Sequence, residues 1–123
     1  IFACGNVLHV HDLVDFVSME AAKAGAAAAD YLSGHRLEKG ASIEVTAGSG
    51  VRYTVPQKIT VGKDISLAFR VCSPSKDSTI EIVADGKVIK SEKHPRLHPA
   101  EMVWVKIEDN CLSDTSVLEV RVR

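Results

Sequence analysis

The stretch Ile80–Lys90, IEIVADGKVIK, decides the fold of most of this chain. Isoleucines alternate with other residues before the pair Asp85-Gly86, and Val88 follows the pair. Alternation with a period of two is typical of a strand that buries one face. An Asp-Gly pair between two such runs favours a tight hairpin turn, because both residues tolerate a positive φ. The stretch therefore predicts two antiparallel strands.

The same period extends outward from this hairpin in both directions. Turn residues in AGSG, CSPSKDS and EDNCLSD separate the runs, and the prolines of KHPRLHPAEM predict a bent connection into the strand that ends at Ile107. About seven short strands predict an antiparallel β-sandwich of immunoglobulin-like type. The Cys–Trp–Cys spacing of true immunoglobulin domains is absent. The alternating runs are Ile43/Val45, Val51/Tyr53/Val55, Ile59/Val61, Ile65/Leu67/Phe69/Val71, Ile80/Ile82, Val103/Val105/Ile107 and Leu118/Val120/Val122.

The N-terminal part has a helical period instead. Ser18 is the expected N-cap, with an earlier start at Asp12 or Asp15 left open, and Gly34 suits the left-handed residue beyond the helix end. The apolar face of this helix is almost all alanine, so an element that packs against it can approach closely. The apolar positions, three and four residues apart, are Val14, Val17, Ala21, Ala24, Ala28 and Leu32.

These two periods divide the chain. We expect a strand-turn-helix segment at 1–34, a linker at 35–42 and a β-sandwich domain at 43–123. The fold class is then mainly β with one N-terminal helix. Because the chain begins at Ile1 with neither methionine nor a signal peptide, we expect it to be a piece of a longer protein.

Charge and composition limit the function. The 15 basic and 16 acidic residues are interspersed, which gives no electrostatic argument for nucleic acid or an anionic membrane surface. No apolar run reaches the roughly 18 residues that a membrane span needs. Three widely spaced cysteines fit a reduced chain, so we expect a cytoplasmic protein. Whether Cys72 and Cys111 pair is left open, with free thiols expected.

The opening residues carry a family resemblance. IFACGNV followed by VDFVSMEAAKAGAAAADYL resembles the last FAD-contacting motif of the pyridine nucleotide-disulfide oxidoreductase and thioredoxin reductase superfamily. In that motif a strand and a Gly-Asp pair precede a helix rich in Ala and Gly. The resemblance covers about the first quarter of the chain. It implies the C-terminal part of a flavin-dependent NAD(P)H oxidoreductase, with FAD as the parent's cofactor and the β domain as a docking or assembly module.

The resemblance also implies roles for individual residues. Gly5 would let the backbone approach the cofactor closely, and Asn6 would bind a ribityl hydroxyl where the family has Asp. Val7 would offer its N–H toward the pyrophosphate. Backbone amides at the mouth of the helix would face the pyrimidine side of the isoalloxazine, at Asp15, Phe16 and Val17.

Other family features do not occur in this sequence. It has no GxGxxG loop for the ADP half of FAD or NAD(P)H and no Cys-x-x-Cys pair. We therefore expect the chain alone to bind no FAD tightly and to catalyse nothing, with no catalytic residue of its own. The expected partners are the upstream FAD and NAD(P)H domains, a partner subunit, and further copies of the chain.

The sequence allows two further interpretations, a metal site and a different function. The HVHD stretch could hold a metal through His9, His11 and Asp12, but no third or fourth ligand stands out, so we interpret these residues as polar groups near the parent's flavin and expect no metal. The alternative function is a stand-alone β-sandwich protein-binding module with a helical N-terminal extension. A GxGxxG motif upstream would decide between the two functions.

Overall fold

The computed structural model describes residues 1–34, 41–60, 65–108, 112 and 115–123. The chain divides into two compact units, Ile1–Lys39 and Gly40–Arg123. Each unit is described by itself below. The predicted linker at 35–42 lies mostly outside the described residues.

The N-terminal unit contains a 3₁₀ turn, Gly5–Val7, and one helix, α1, at Val14–Leu32. Leu13, with extended backbone, precedes the helix, and no side chain caps it. The prediction of Ser18 as N-cap was wrong, since its hydroxyl donates to the Val14 carbonyl at 3.1 Å within the helix. The observed start at Val14 lies between the two earlier starts, Asp12 and Asp15, that the sequence left open. Gly34 has φ +80° and ends the helix as predicted.

The predicted strand at the start of the chain was wrong. Residues 1–4 form no strand. A strand is stable only when a neighbour accepts and donates its backbone hydrogen bonds. The opening segment contacts α1 instead. The ring of Phe2 lies edge to face against that of Tyr31, with 5.9 Å between the ring centroids.

The C-terminal unit contains eight strands within its described residues. Polar residues alternate with buried apolar ones along several of them, as in β1, where Ile43 and Val45 are buried and their neighbours are exposed or half-exposed. The strands are β1 Ser42–Ala47, β2 Val51–Val55, β3 Lys58–Thr60, β4 Ile65–Val71, β5 Ser75–Ala84, β6 Lys87–Leu97, β7 Val103–Ile107 and β8 Val117–Val122.

The strands form two sheets. One has the order β3-β1-β8-β5-β6 and the other the order β2-β4-β7. Neighbouring strands are antiparallel except for β1 and β8, which run parallel with Val45 opposite Leu118. The predicted mainly β fold with one N-terminal helix is confirmed, while the immunoglobulin-like assignment stays a prediction.

Both sheets contribute to one hydrophobic core. Ile43 and Leu118 from the larger sheet and Leu67, Phe69 and Val105 from the smaller one belong to the same buried cluster. The central strand of the smaller sheet, β4, buries five of its seven residues. Burial of these side chains stabilises the unit by roughly 25 cal/mol per Å² of apolar surface removed from water.

The central hairpin is confirmed. Asp85 has φ +44° and Gly86 has φ +86°, the positive values that a two-residue hairpin of this type requires. The Asp85 carboxylate also accepts hydrogen bonds from the amides of Ser116 and Val117, both at 3.0 Å. The turn is therefore tied to the segment that leads into β8.

The connection predicted in KHPRLHPAEM was wrong in its first half, because β6 continues to Leu97. Pro95 is accommodated there because β6 is an edge strand, where a missing N–H costs no ladder hydrogen bond. The turn predicted in CSPSKDS is also shorter, since β5 begins at Ser75. Most of EDNCLSD, with Cys111, lies outside the described residues.

Candidate functional site

The turn Gly5–Val7 holds three of the residues that the flavin resemblance singles out. Gly5 is buried with φ +72°, a conformation that favours glycine. Its N–H donates to Glu20 Oε2 at 2.5 Å. A Cβ placed on Gly5 would lie 3.7 Å from Val17 Cγ1, so glycine lets the turn lie close to the helix.

Asn6 and Val7 lie on the surface of the unit. Asn6 Oδ1 accepts a hydrogen bond from the His11 amide at 3.3 Å, which ties the turn to the segment before α1. Val7 is 79% exposed. Both residues are therefore accessible to a ligand or a further domain, and the ribityl and pyrophosphate roles stay predictions.

Asp15, Phe16 and Val17 form the first turn of α1. Asp15 is exposed, while Phe16 and Val17 are half-buried. The Phe16 amide donates to the Leu13 carbonyl at 3.2 Å and so belongs to the helix start. The structure brings Val17 beside Gly5, whereas the predicted roles of these three amides toward a flavin stay untested.

A cluster of two histidines and one carboxylate lies beside the same turn. His9 Nε2 is 3.5 Å from Glu20 Oε1, and His11 Nε2 is 3.0 Å from Glu20 Oε2. One ligand atom from each of the three residues falls within 4.8 Å of the others. The imidazoles lie side by side with 4.2 Å between ring centroids. The side chains of His9 and His11 are only 2% and 1% exposed, against 19% for Glu20.

The pKa of Glu20 lies below its ordinary value. Burial of the carboxyl raises its pKa, but the hydrogen bonds from His11 and from the Gly5 amide, with the positive charge on the histidines, outweigh burial. Glu20 is therefore held as a carboxylate. Such a group can accept hydrogen bonds or bind a cation.

The sequence identified two of the three residues of this cluster. These are His9 and His11, which form one pair in the sequence, whereas Glu20 was missed. The available signal was position, since Glu20 lies in the second turn of α1, where a side chain directed back along the helix can reach the residues that precede it. Asp12, which the sequence also offered as a metal ligand, does not belong to the group of His9, His11 and Glu20.

Outside this cluster, the free cysteines in the described part of the chain are Cys4, which is half-buried, and Cys72, which is exposed. Trp104 is half-buried on the edge strand β7. No described helix combines the length and apolar character needed to cross a membrane.

No family model matches the chain, and no curated protein or solved structure matches it either.

Proposed function

We propose that this chain is the C-terminal portion of a cytoplasmic, flavin-dependent NAD(P)H oxidoreductase. Its N-terminal unit completes the FAD site of the parent, and its β unit serves as a docking or assembly domain. The chain alone carries no activity. Free thiols at Cys4 and Cys72 support the cytoplasmic assignment, because reducing compartments keep cysteines unpaired.

The observation that carries the proposal is that α1 has no buried residue. Isolated helices are marginal in water, and helices in proteins gain most of their stability by burying an apolar face. Here large apolar side chains around the helix remain exposed, which indicates a surface that another layer of structure covers. These side chains include Val7, Leu13, Val14, Met19 and Leu32, each more than half exposed. The sheet of an FAD-binding domain is such a layer.

The turn before the helix supports the same proposal. A glycine with positive φ and backbone amides near a helix start can approach and bind oxygen atoms of a cofactor. Gly5 has that conformation and lies beside Val17 in the first turn of α1. The accessible Asn6 provides a polar side chain at the position where the resemblance implies a ribityl contact.

The structure of the β unit is consistent with the docking or assembly role that we propose for it. It has its own hydrophobic core, so it does not need the N-terminal unit to bury its apolar residues. A domain with its own core can be added to an enzyme to bind a further subunit without altering the cofactor site.

The reading frame upstream of Ile1 tests this proposal. We expect it to encode a strand, a GxGxxG loop and a helix near its start, because that motif binds the ADP half of FAD. A reading frame that starts shortly before residue 1, or one without any such loop, would contradict the proposal and favour the stand-alone binding module.

A further inference from the structure

We propose that His9, His11 and Glu20 together bind one divalent transition-metal ion, with Zn²⁺ as the ion that fits best. The site is formed entirely by the N-terminal unit. It goes beyond the proposed flavoprotein function and does not depend on it, because none of the three ligands is among the residues assigned to FAD.

The distances within the cluster suit a shared metal. Zn²⁺ lies about 2.0–2.2 Å from histidine nitrogen and carboxylate oxygen, so two ligands of one tetrahedral ion lie roughly 3.3–3.6 Å apart and two at right angles roughly 3 Å apart. The nitrogen–oxygen separations from Glu20 to His9 and His11 are 3.5 and 3.0 Å. These two separations involve different oxygens of Glu20, and the ligand atoms of the three residues lie within 4.8 Å of one another, so the three groups have to move closer together to bind one ion.

The hydrogen bonds of the cluster leave one nitrogen of His11 without a partner among the described residues. His11 Nδ1 is buried and has no hydrogen-bond partner among the described residues. The His11 side chain as a whole is only 1% exposed. Buried polar atoms are nearly always paired. A second imidazole, with 4.2 Å between the ring centroids, lies near the same carboxylate. A bound cation would accept a lone pair from each of the two rings.

The surroundings of the cluster orient its ligands. The Gly5 amide holds Glu20 Oε2, and Asn6 Oδ1 accepts from the backbone amide of His11. Backbone and side-chain contacts of this kind fix the direction of metal ligands and raise affinity. With neutral imidazoles the three ligands carry one negative charge, which favours a dication.

The ligand types decide the class of ion. Two imidazoles and one carboxylate suit Zn²⁺ and related first-row metals, whereas Mg²⁺ and Ca²⁺ prefer oxygen ligands alone. Three protein ligands leave a tetrahedral ion one position for water or another ligand. The inferred centre is therefore open, unlike a closed four-ligand structural site.

Titration of the chelator-treated full chain with Zn²⁺, followed by calorimetry, tests the inference. We expect one ion per chain. We expect Glu20→Gln and His11→Ala each to weaken binding at least about 100-fold, since loss of a group that only orients a ligand already costs about 10- to 100-fold. His98→Ala is the matched control, because His98 is exposed on the β unit, and it should bind as the unmodified chain does.

A second measurement needs no substitution. Added Zn²⁺ should shift the NMR signals of the His9 and His11 rings before those of His94 and His98. Absence of Zn²⁺ binding, equal affinity in Glu20→Gln, or shifts at the surface histidines first would overturn the inference and leave a hydrogen-bonded His–Glu–His cluster only. The helical circular dichroism signal of each variant shows whether its affinity is lost because a ligand is missing or because the unit is unfolded. If a variant is unfolded, the NMR titration of the unmodified chain decides whether His9 and His11 bind the ion.

Discussion

Glu20 is the residue on which the contacts of the N-terminal unit converge. It accepts from the Gly5 amide in the 3₁₀ turn, and its carboxylate faces His9 and His11 from the following segment. One side chain of α1 thereby fixes three residues that precede the helix. The sequence shows a glutamate at this position but does not show which residues meet it, because that depends on the path of the chain between the turn and Leu13.

The pKa of Glu20 predicts how this unit responds to acid. A carboxyl whose pKa is lower in the folded than in the unfolded state stabilises the fold fully above its unfolded pKa. This stabilisation is lost as the pH falls through the folded pKa. We therefore expect the helical circular dichroism signal to fall on acidification below the ordinary pKa of glutamate. His9 and His11 are the titratable groups that face Glu20.

Glu20→Gln provides the comparison for this pH dependence. The amide keeps an acceptor for the Gly5 N–H but cannot ionise, so the variant should lack most of the acid-dependent loss of helix. An equal pH dependence in the variant and in the unmodified chain would show that another group controls it. The experiment is carried out without added metal.

The hairpin between β5 and β6 is the element whose sequence signal was most complete. Asp85-Gly86 indicated the turn, and the alternation around Ile80 and Ile82 indicated the buried face, both local properties that need no knowledge of distant residues. The same reasoning failed for Pro95, because whether a proline is tolerated depends on the position of its strand in the sheet. It also failed for residues 1–4, whose strand would need a neighbour.

The Asp85 side chain gives a prediction about this hairpin. Asp85→Ala removes acceptors for two backbone amides and places alanine at a positive φ. We expect it to lower the free energy of unfolding of the β unit by about 1–3 kcal/mol. Urea unfolding followed by fluorescence of Trp104, the single tryptophan, measures this. Asp85→Asn keeps an acceptor and tolerates the backbone, so it should lose less; equal losses in both variants would contradict the role of these contacts.

The alanine face of α1 gives a second prediction at this scale. Ala24 is half-buried, whereas Ala22 is exposed. We expect the chain to associate with itself through apolar surface of this unit, since a small-residue stripe permits close helix pairing. Ala24→Glu should shift the chain toward monomer and reduce its helical signal while leaving the β unit folded.

Sedimentation and circular dichroism check this prediction, with Ala22→Glu as the control on the exposed side of the helix. Unchanged mass and unchanged helicity in Ala24→Glu would show that the alanine face is not the contact. An equal effect of Ala22→Glu would show that added charge, rather than position, is responsible.

At the scale of the whole molecule, the two units differ in how they bury apolar surface. The β unit surrounds a core of its own, while the helix of the N-terminal unit buries no residue. This difference was partly visible in the sequence, where the period changes from helical to alternating near residue 40. The sequence could not show that α1 stays exposed, because an amphipathic pattern predicts a buried face without identifying what covers it.

The proposed flavin site is best tested on the purified protein that the whole reading frame encodes. The measurement is its visible absorption spectrum. We expect a flavin band and near-stoichiometric release of FAD on denaturation. The amount of bound FAD should be lower in Asn6→Ala and unchanged in Ser91→Ala, a control on the exposed surface of β6. A colourless protein that takes up no added FAD would contradict the claim that the N-terminal unit completes a flavin site.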